Sequence, residues 1–180
     1  MIDVSENIYA YLVKLYGEQP AQYLRVNLLK ISRDELSKVL YDNYKIETSA
    51  LQGLDHALKV ESGNELVGKT IEHIIGLFYI QGLSSMLPPY LLNPSVGDKV
   101  LDLCAAPGSK STQLSELMLN KGTLLVNEIQ LSRVKTLVYN LERMGVVNAG
   151  VLHFKGEILS KIYNNYFDKI LVDVPCSGLG

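Results

Sequence analysis

The chain has 180 residues, 47% of them hydrophobic and 20% charged, which is enough apolar content for a folded core and too little charge for a disordered segment. A formal net charge of −2 supplies no bulk electrostatic footprint for a polyanion and argues against a stand-alone nucleic-acid-binding module. The two cysteines, Cys104 and Cys176, have no metal-ligand spacing, no secretory leader stands ahead of them and no apolar run is long enough to span a bilayer, so the expectation is free thiols in the cytoplasm, with no metal and no membrane partner.

Residues 1–75 read as a small α+β domain. Ile8, Tyr9, Leu12, Val13, Leu15 and Tyr16 recur at helical spacing behind Ser5, which predicts a helix over 5–16. Tyr23 to Leu28 predicts a strand, and Ser32-Arg-Asp-Glu35 is a capping box opening a helix through Leu36, Val39 and Leu40. Short alternating runs at 44–48 and 57–61 predict two more strands. The chain divides near Gly63 to Gly76, and residues 76–180 form the second expected domain. It opens on a linker-like run in which Tyr79-Ile80-Gln81 reads as a strand. A helix then enters at Ser84 or Ser85, either interrupted by Pro88-Pro89 or holding them in its first turn.

From Gly97 the pattern changes. Lys99 to Leu103, Thr123 to Val126, Ala149 to Phe154 and Ile170 to Val174 are apolar runs suited to central parallel strands buried on both faces. Lys110 to Leu119 and Leu131 to Met144 have helical spacing, the second stopping at Gly145. Strands alternating with helices predict an α/β fold with a doubly wound, Rossmann-like sheet, incomplete at one edge, preceded by the small α+β domain. Ligand-binding residues then belong at the carboxyl ends of the strands, near the topological switch point.

Three clusters lie there. Cys104, Ala105, Ala106, Pro107, Gly108, Ser109 and Lys110 join the first strand to its helix. Small residues let a ligand approach the backbone, Pro107-Gly108 turns the chain, the helix N-terminus offers N–H groups to a carboxylate and Lys110 adds a point charge. The single glycine disfavours a dinucleotide fingerprint, and Cys104 itself reads as a small buried hydrophobe. Glu128 ends the second strand, where an acid can accept both hydroxyls of a ribose; Asn127 and Glu128 also read as a solvated pair at a helix start. In the third cluster Asp173 can bond the amino group or N3 of a cytosine, and Pro175 rigidifies the loop that carries Cys176. A thiolate adding to C6 of that base would make C5 nucleophilic.

The spacing and residue types of Val100 to Lys110, Asn127-Glu128 with Ser132-Arg133-Val134-Lys135, and Asp173-Val-Pro-Cys176 resemble the Nol/Nop/Sun RNA cytosine-5 methyltransferases, in most detail their RsmF-like ribosomal branch. That resemblance implies S-adenosylmethionine as cofactor, held by Cys104 to Lys110, Glu128, Arg133 and Asp173, and RNA as substrate, ribosomal before transfer RNA. It implies that Cys176, with Asp173, is a helper thiol at product release, the attacking cysteine lying in a Thr-Cys loop beyond Gly180. The chain is therefore expected to be part of a longer enzyme and inactive alone. Ser177-Gly178-Leu179-Gly180 fits the RNA family and not the DNA cytosine-5 enzymes, which attack from the Pro-Cys position. Leu24-Arg-Val-Asn27 and the capped helix resemble the RNA-recognition-like domain of the same enzymes. Two positions depart from the pattern. Gly82 stands where the family has an acid, and Lys155 stands where the ribosomal enzymes carry the Asp that meets adenine. Either Glu157 substitutes for that Asp from one turn later, or the adenine goes without its acidic partner and cofactor affinity falls. The alternative reading is a non-catalytic S-adenosylmethionine-binding or RNA-binding module; a methyltransferase of another substrate class is disfavoured by the Pro-Cys-Ser-Gly run.

Overall fold

Tyr23–Val26 (β1) is one of two inner strands of an antiparallel sheet of order β2-β3-β1-β4, flanked by Leu54–Ser62 (β3) and Phe78–Ile80 (β4), with Glu47–Leu51 (β2) outside β3. A computed structural model describes residues 21–174; the helix expected over 5–16 and the cluster's Pro175 and Cys176 lie outside them. Helix α1 (Arg33–Tyr44) starts at the expected capping box: Ser32 accepts from the Glu35 N–H and the Glu35 carboxylate accepts from the Ser32 N–H. It ends later than the sequence suggests. Tyr44 is its last residue and Lys45 takes the left-handed conformation (φ 59°), so the next strand begins at Glu47 and not at Tyr44. Leu24, Val26, Leu36, Leu40, Ile46 and Phe78, all fully buried, form the core between α1 and the sheet.

Two short helices, α2 (Asn64–Val67) and α3 (Ile71–Ile74), lead into β4, so the first sheet takes a strand from beyond residue 75. The following helix, α4 (Leu83–Leu92), starts at the Gly82 cap and runs through Pro88 and Pro89 without interruption, so the prolines neither break it nor stand in its first turn, the two arrangements expected. A proline at position 89 cannot donate to the carbonyl of Ser85, and that carbonyl instead accepts from Nε2 of Gln81 at 3.0 Å.

The second sheet is parallel, of order β7-β6-β5-β8, built from Lys99–Asp102 (β5), Thr123–Asn127 (β6), Ala149–Leu152 (β7) and Lys169–Leu171 (β8). Helices α5 (Ser109–Leu117), α6 (Leu131–Met144, closed by Gly145) and α7 (Gly156–Ile162) connect them. Full burial is confined to the middle: Val100, Leu124 and Val126 pack with Leu114, Met118 and Leu137, each contributing about 2 kcal/mol by removal from water. The outer strands are not buried on both faces as expected, since Val151 is 39% and Ile170 49% exposed. Strand order advances from β5 through β6 to β7 and then jumps to the other side of β5, so the switch point lies beside the carboxyl end of β5.

Buried polar side chains lock the two sheets together. Nδ2 of Asn27, just beyond β1, donates to the carbonyls of Gly76 and Met144, and Nη1 of Arg143 donates to those of His73 and Phe78. Gly76 (φ 70°) sits where a Cβ would stand 2.0 Å from the Arg143 oxygen, so the close approach admits only glycine.

Candidate functional site

The register sets Asp102, the last residue of β5, opposite Val126 of β6 and Leu171 of β8, so the segments leaving three adjacent strands start at one rim. The loop from Leu103 to Gly108 is pinned by its neighbours. The Ala105 N–H donates to the Asn127 carbonyl (2.8 Å), Arg133 Nη2 to Ala106 O (2.6 Å) and Asn140 Nδ2 to Pro107 O (2.8 Å). Gly108 (φ 106°) caps α5 where a Cβ would press on Leu137 at 3.2 Å. No side chain among the described residues caps this helix, so the N–H groups of its first turn remain for an anion.

Between the loop and Asp173-Val174 lies a cavity of about 220 Å³. Cys104, Ala105, Ala106 and Pro107 form one wall, Ser109, Lys110 and Arg133 border it, and Asp102 also lines it. Sequence reasoning misses Asp102, which is 1% exposed. Ser111 Oγ donates to its Oδ2 at 2.7 Å, while Oδ1 has no hydrogen-bond partner among the described residues. Burial pushes this carboxyl up to about 6, against the opposing pull of Ser111, the Cys104 N–H and Lys110; Asp173 pushes it further the same way. The one signal in the sequence is an acid ending an apolar strand directly before the small-residue loop.

Lys110, expected as a free point charge for a ligand carboxylate, is instead paired with Asp173, Nζ to Oδ2 at 2.6 Å. The pair ties the first cluster to the third. Cys104 is not the buried hydrophobe expected of it, but is partly exposed and lines the cavity. Burial raises its pKa first, and the surrounding carboxylates of Asp102, Glu128 and Asp173 raise it further, so it stays a thiol.

Glu128 and Asn127 are buried, which removes the solvated-pair alternative. Asn127 is a clamp: Nδ2 donates to the carbonyls of Leu103 and Phe154, and Oδ1 accepts from the Phe154 N–H. The Glu128 carboxylate accepts from the Gln130 N–H at 2.8 Å and stands 3.5 Å from Arg133 Nη1, so Arg133 joins the acid to the loop after β5. His153 is exposed and bonds the Glu128 carbonyl through Nδ1 at 2.8 Å. Lys155 caps α7 through its backbone alone, and both it and Glu157 are exposed, outside the cavity wall.

The parallel sheet, the pinned loop after its first strand and the buried acid after its second define a Rossmann-like methyltransferase domain. Residues 89–180 match the family model described as 16S rRNA methyltransferase RsmB/F, and the chain belongs to that family. It is 41% identical over 157 residues to the 26S rRNA (cytosine-C(5))-methyltransferase nsun-1 of Caenorhabditis elegans, covering 87% of this chain and 24% of that protein. It is 42% identical over 172 residues to the ribosomal RNA small subunit methyltransferase F of Shewanella woodyi, covering 92% and 36% respectively. The chain thus spans roughly a third or less of the curated relatives it matches. A solved structure of a methyltransferase homolog from Pyrococcus horikoshii aligns with TM-score 0.81 at 33% identity, over 92% of this chain and 53% of that one. No helix among the described residues is long and apolar enough to cross a membrane.

Proposed function

We propose that this chain supplies the cofactor site of an S-adenosylmethionine-dependent enzyme that methylates C5 of cytosine in ribosomal RNA in the cytoplasm. The observation that carries the reading is a pair of groups at one rim that are unspent among the described residues: Oδ1 of Asp102, without a hydrogen-bond partner, and the N–H groups of α5, without a side-chain cap. These are the complements of an α-ammonium and an α-carboxylate, and the small side chains of Cys104, Ala105 and Ala106 leave the backbone open between them. A cavity of about 220 Å³ is smaller than the roughly 300 Å³ or more of drug-sized ligand pockets, which suits the amino-acid end of the cofactor. The ribose then reaches Glu128, whose carboxylate has about four lone-pair sites and gives one to Gln130. Glu157 on α7 is the acid nearest in sequence for the adenine end.

The bound cofactor supplies an electrophilic methyl group. Asp173 accepts from the cytosine amino group, and its 2.6 Å pairing with Lys110 orients the carboxylate. Cys176 acts as the helper thiol at release, and the base is taken out of its stack to reach the site. The test uses the full-length protein with ribosomal RNA and a methyl-labelled donor. Label at cytosine C5 is expected, and Cys176→Ala should accumulate an RNA adduct that survives denaturation. No C5 methylation by folded full-length protein would overturn the reading, while loss of both transfer and adduct in Cys176→Ala would make Cys176 the attacking thiol.

A further inference from the structure

Arg25 lies at the centre of β1, has no exposed surface, and spends its guanidinium on the neighbouring domain. Nη1 donates to the Ser109 carbonyl at 2.5 Å and to Oε1 of Gln81 at 2.6 Å, Nη2 donates to Oγ1 of Thr112 at 2.8 Å, and Nε stands 3.5 Å from the Glu116 carboxylate. Ser109, Thr112 and Glu116 are spaced i, i+3 and i+7, so the one arginine runs along a single stripe of α5. Thr112 and Gln113 are buried in this contact, and Gln113 accepts from Gln81 across it at 3.2 Å. Helices of this kind ordinarily meet a neighbour with an apolar stripe.

Stability alone does not account for such an interface. Replacing a buried ion pair by apolar residues of similar volume is commonly neutral or stabilising, whereas a forked donor with fixed acceptors specifies one geometry. The acceptor chosen is the carbonyl of Ser109, the first residue of the helix whose free N–H groups face the cavity. A guanidinium near the positive end of a helix is not there to favour the helix dipole. Thr112 Oγ1 reinforces the same point, donating to Ser109 O at 3.0 Å while accepting from Arg25.

We propose that Arg25 is a positioning residue for the cofactor loop: reaching across from the first sheet, it fixes the first turn of α5 at one axial setting and so lets the N-terminal domain set cofactor affinity. This rests on the reading of the cavity as the cofactor site. Thr112 carries the other half of the device, and the Gln81 and Gln113 amides hold the guanidinium in place.

The test is calorimetric titration of the 180-residue chain with S-adenosylhomocysteine, beside thermal unfolding and amide exchange of Ser109, Lys110 and Ser111 without ligand. Thr112→Val loses both hydroxyl contacts and Arg25→Met keeps the volume without the fork. Each should weaken binding about fivefold or more, the usual order for coupled sites, and speed exchange of the three amides. The thermal midpoint of Thr112→Val should fall by a few degrees, because Arg25 Nη2 loses its buried acceptor, so binding is compared well below both midpoints; Thr112→Ser, which keeps the hydroxyl, should restore midpoint, amide exchange and affinity together. Should Arg25→Met fail to fold, the Thr112 pair still decides. Wild-type affinity and unchanged amide exchange in a folded Thr112→Val protein would overturn the positioning role alone; a wild-type chain that takes up no S-adenosylhomocysteine would remove the cofactor reading and this proposal with it.

Discussion

Replacing Asp102 by Asn should make the protein's stability less sensitive to pH, in a direction that can be worked out beforehand. Burial raises the folded-state pKa of Asp102 to about 6 from an ordinary value of 3.8. The unfolded chain therefore releases this proton first as pH rises. Stability is greatest below pH 3.8, falls through the window between 3.8 and 6, and stays lower above it. A shift of roughly two pKa units corresponds to about 3 kcal/mol in full, of which about 2 kcal/mol falls between roughly pH 4.5 and pH 8. Asn cannot ionise, so this loss is absent from the variant. The amide adds a fixed contribution of its own, about 1–3 kcal/mol if its N–H₂ finds no acceptor. That offset is the same at both pH values and cancels in the comparison. Urea unfolding of both proteins at about pH 4.5 and pH 8 should show the variant gaining about 2 kcal/mol on the wild type at the higher pH, equivalent to about 4–8 °C in thermal midpoint for a chain of this size. A difference that stays flat or shrinks with pH would refute a buried carboxyl with burial-raised pKa at the end of β5. Binding of S-adenosylhomocysteine should weaken in the same variant even as its relative stability improves.

Lys155→Asp should stabilise the protein by about 1 kcal/mol, since the backbone cap of α7 lacks a side-chain acceptor, and calorimetry should show tighter cofactor binding; weaker binding would give Lys155 a role of its own. Glu128→Ala should reduce S-adenosylhomocysteine affinity more than Lys155→Ala, because Glu128 is buried beside the loop-holding Arg133 while Lys155 is exposed; the reverse order would dissociate Glu128 from the ribose. Gly76→Ala places a methyl 2.0 Å from the Arg143 carbonyl at φ 70° and should cost about 3 kcal/mol or more, read by chemical denaturation, with near-wild-type stability contradicting the close approach.

Periodicity makes the second sheet legible. Leu131–Met144 has the bounds its apolar spacing and Gly145 predict, because an amphipathic helix on a parallel sheet reports its packing locally. Short elements do not. Helix α7 has seven residues and no capping side chain, and Pro88-Pro89 conceals a continuous helix because the compensating donor, Gln81, comes from outside it. At the site, the loop's small residues are visible as a motif, but the partners that define their chemistry are not. Asp173 reaches Lys110 and Arg25 reaches Ser109 only through the fold, across separations that no local pattern encodes. Arg25 and Asn27 are legible only as members of a strand-like run that resembles an RNA-recognition-like domain, and their place as buried anchors between the sheets comes from the fold. Asp102 passes as a strand residue because an acid at a strand end carries no sign of its burial.

The central claim is that the rim formed by Cys104 to Lys110, Asp102 and Glu128 binds the methyl-donor cofactor. Titrating the isotopically labelled 180-residue chain with S-adenosylhomocysteine and following amide chemical shifts tests it most directly. The account predicts saturable shifts concentrated at Cys104 to Ser111 and Glu128 to Arg133, with none in the groove of the first sheet between Lys59 and Asn64. Shifts confined to that groove, or no shifts from a folded protein at millimolar ligand, would contradict it.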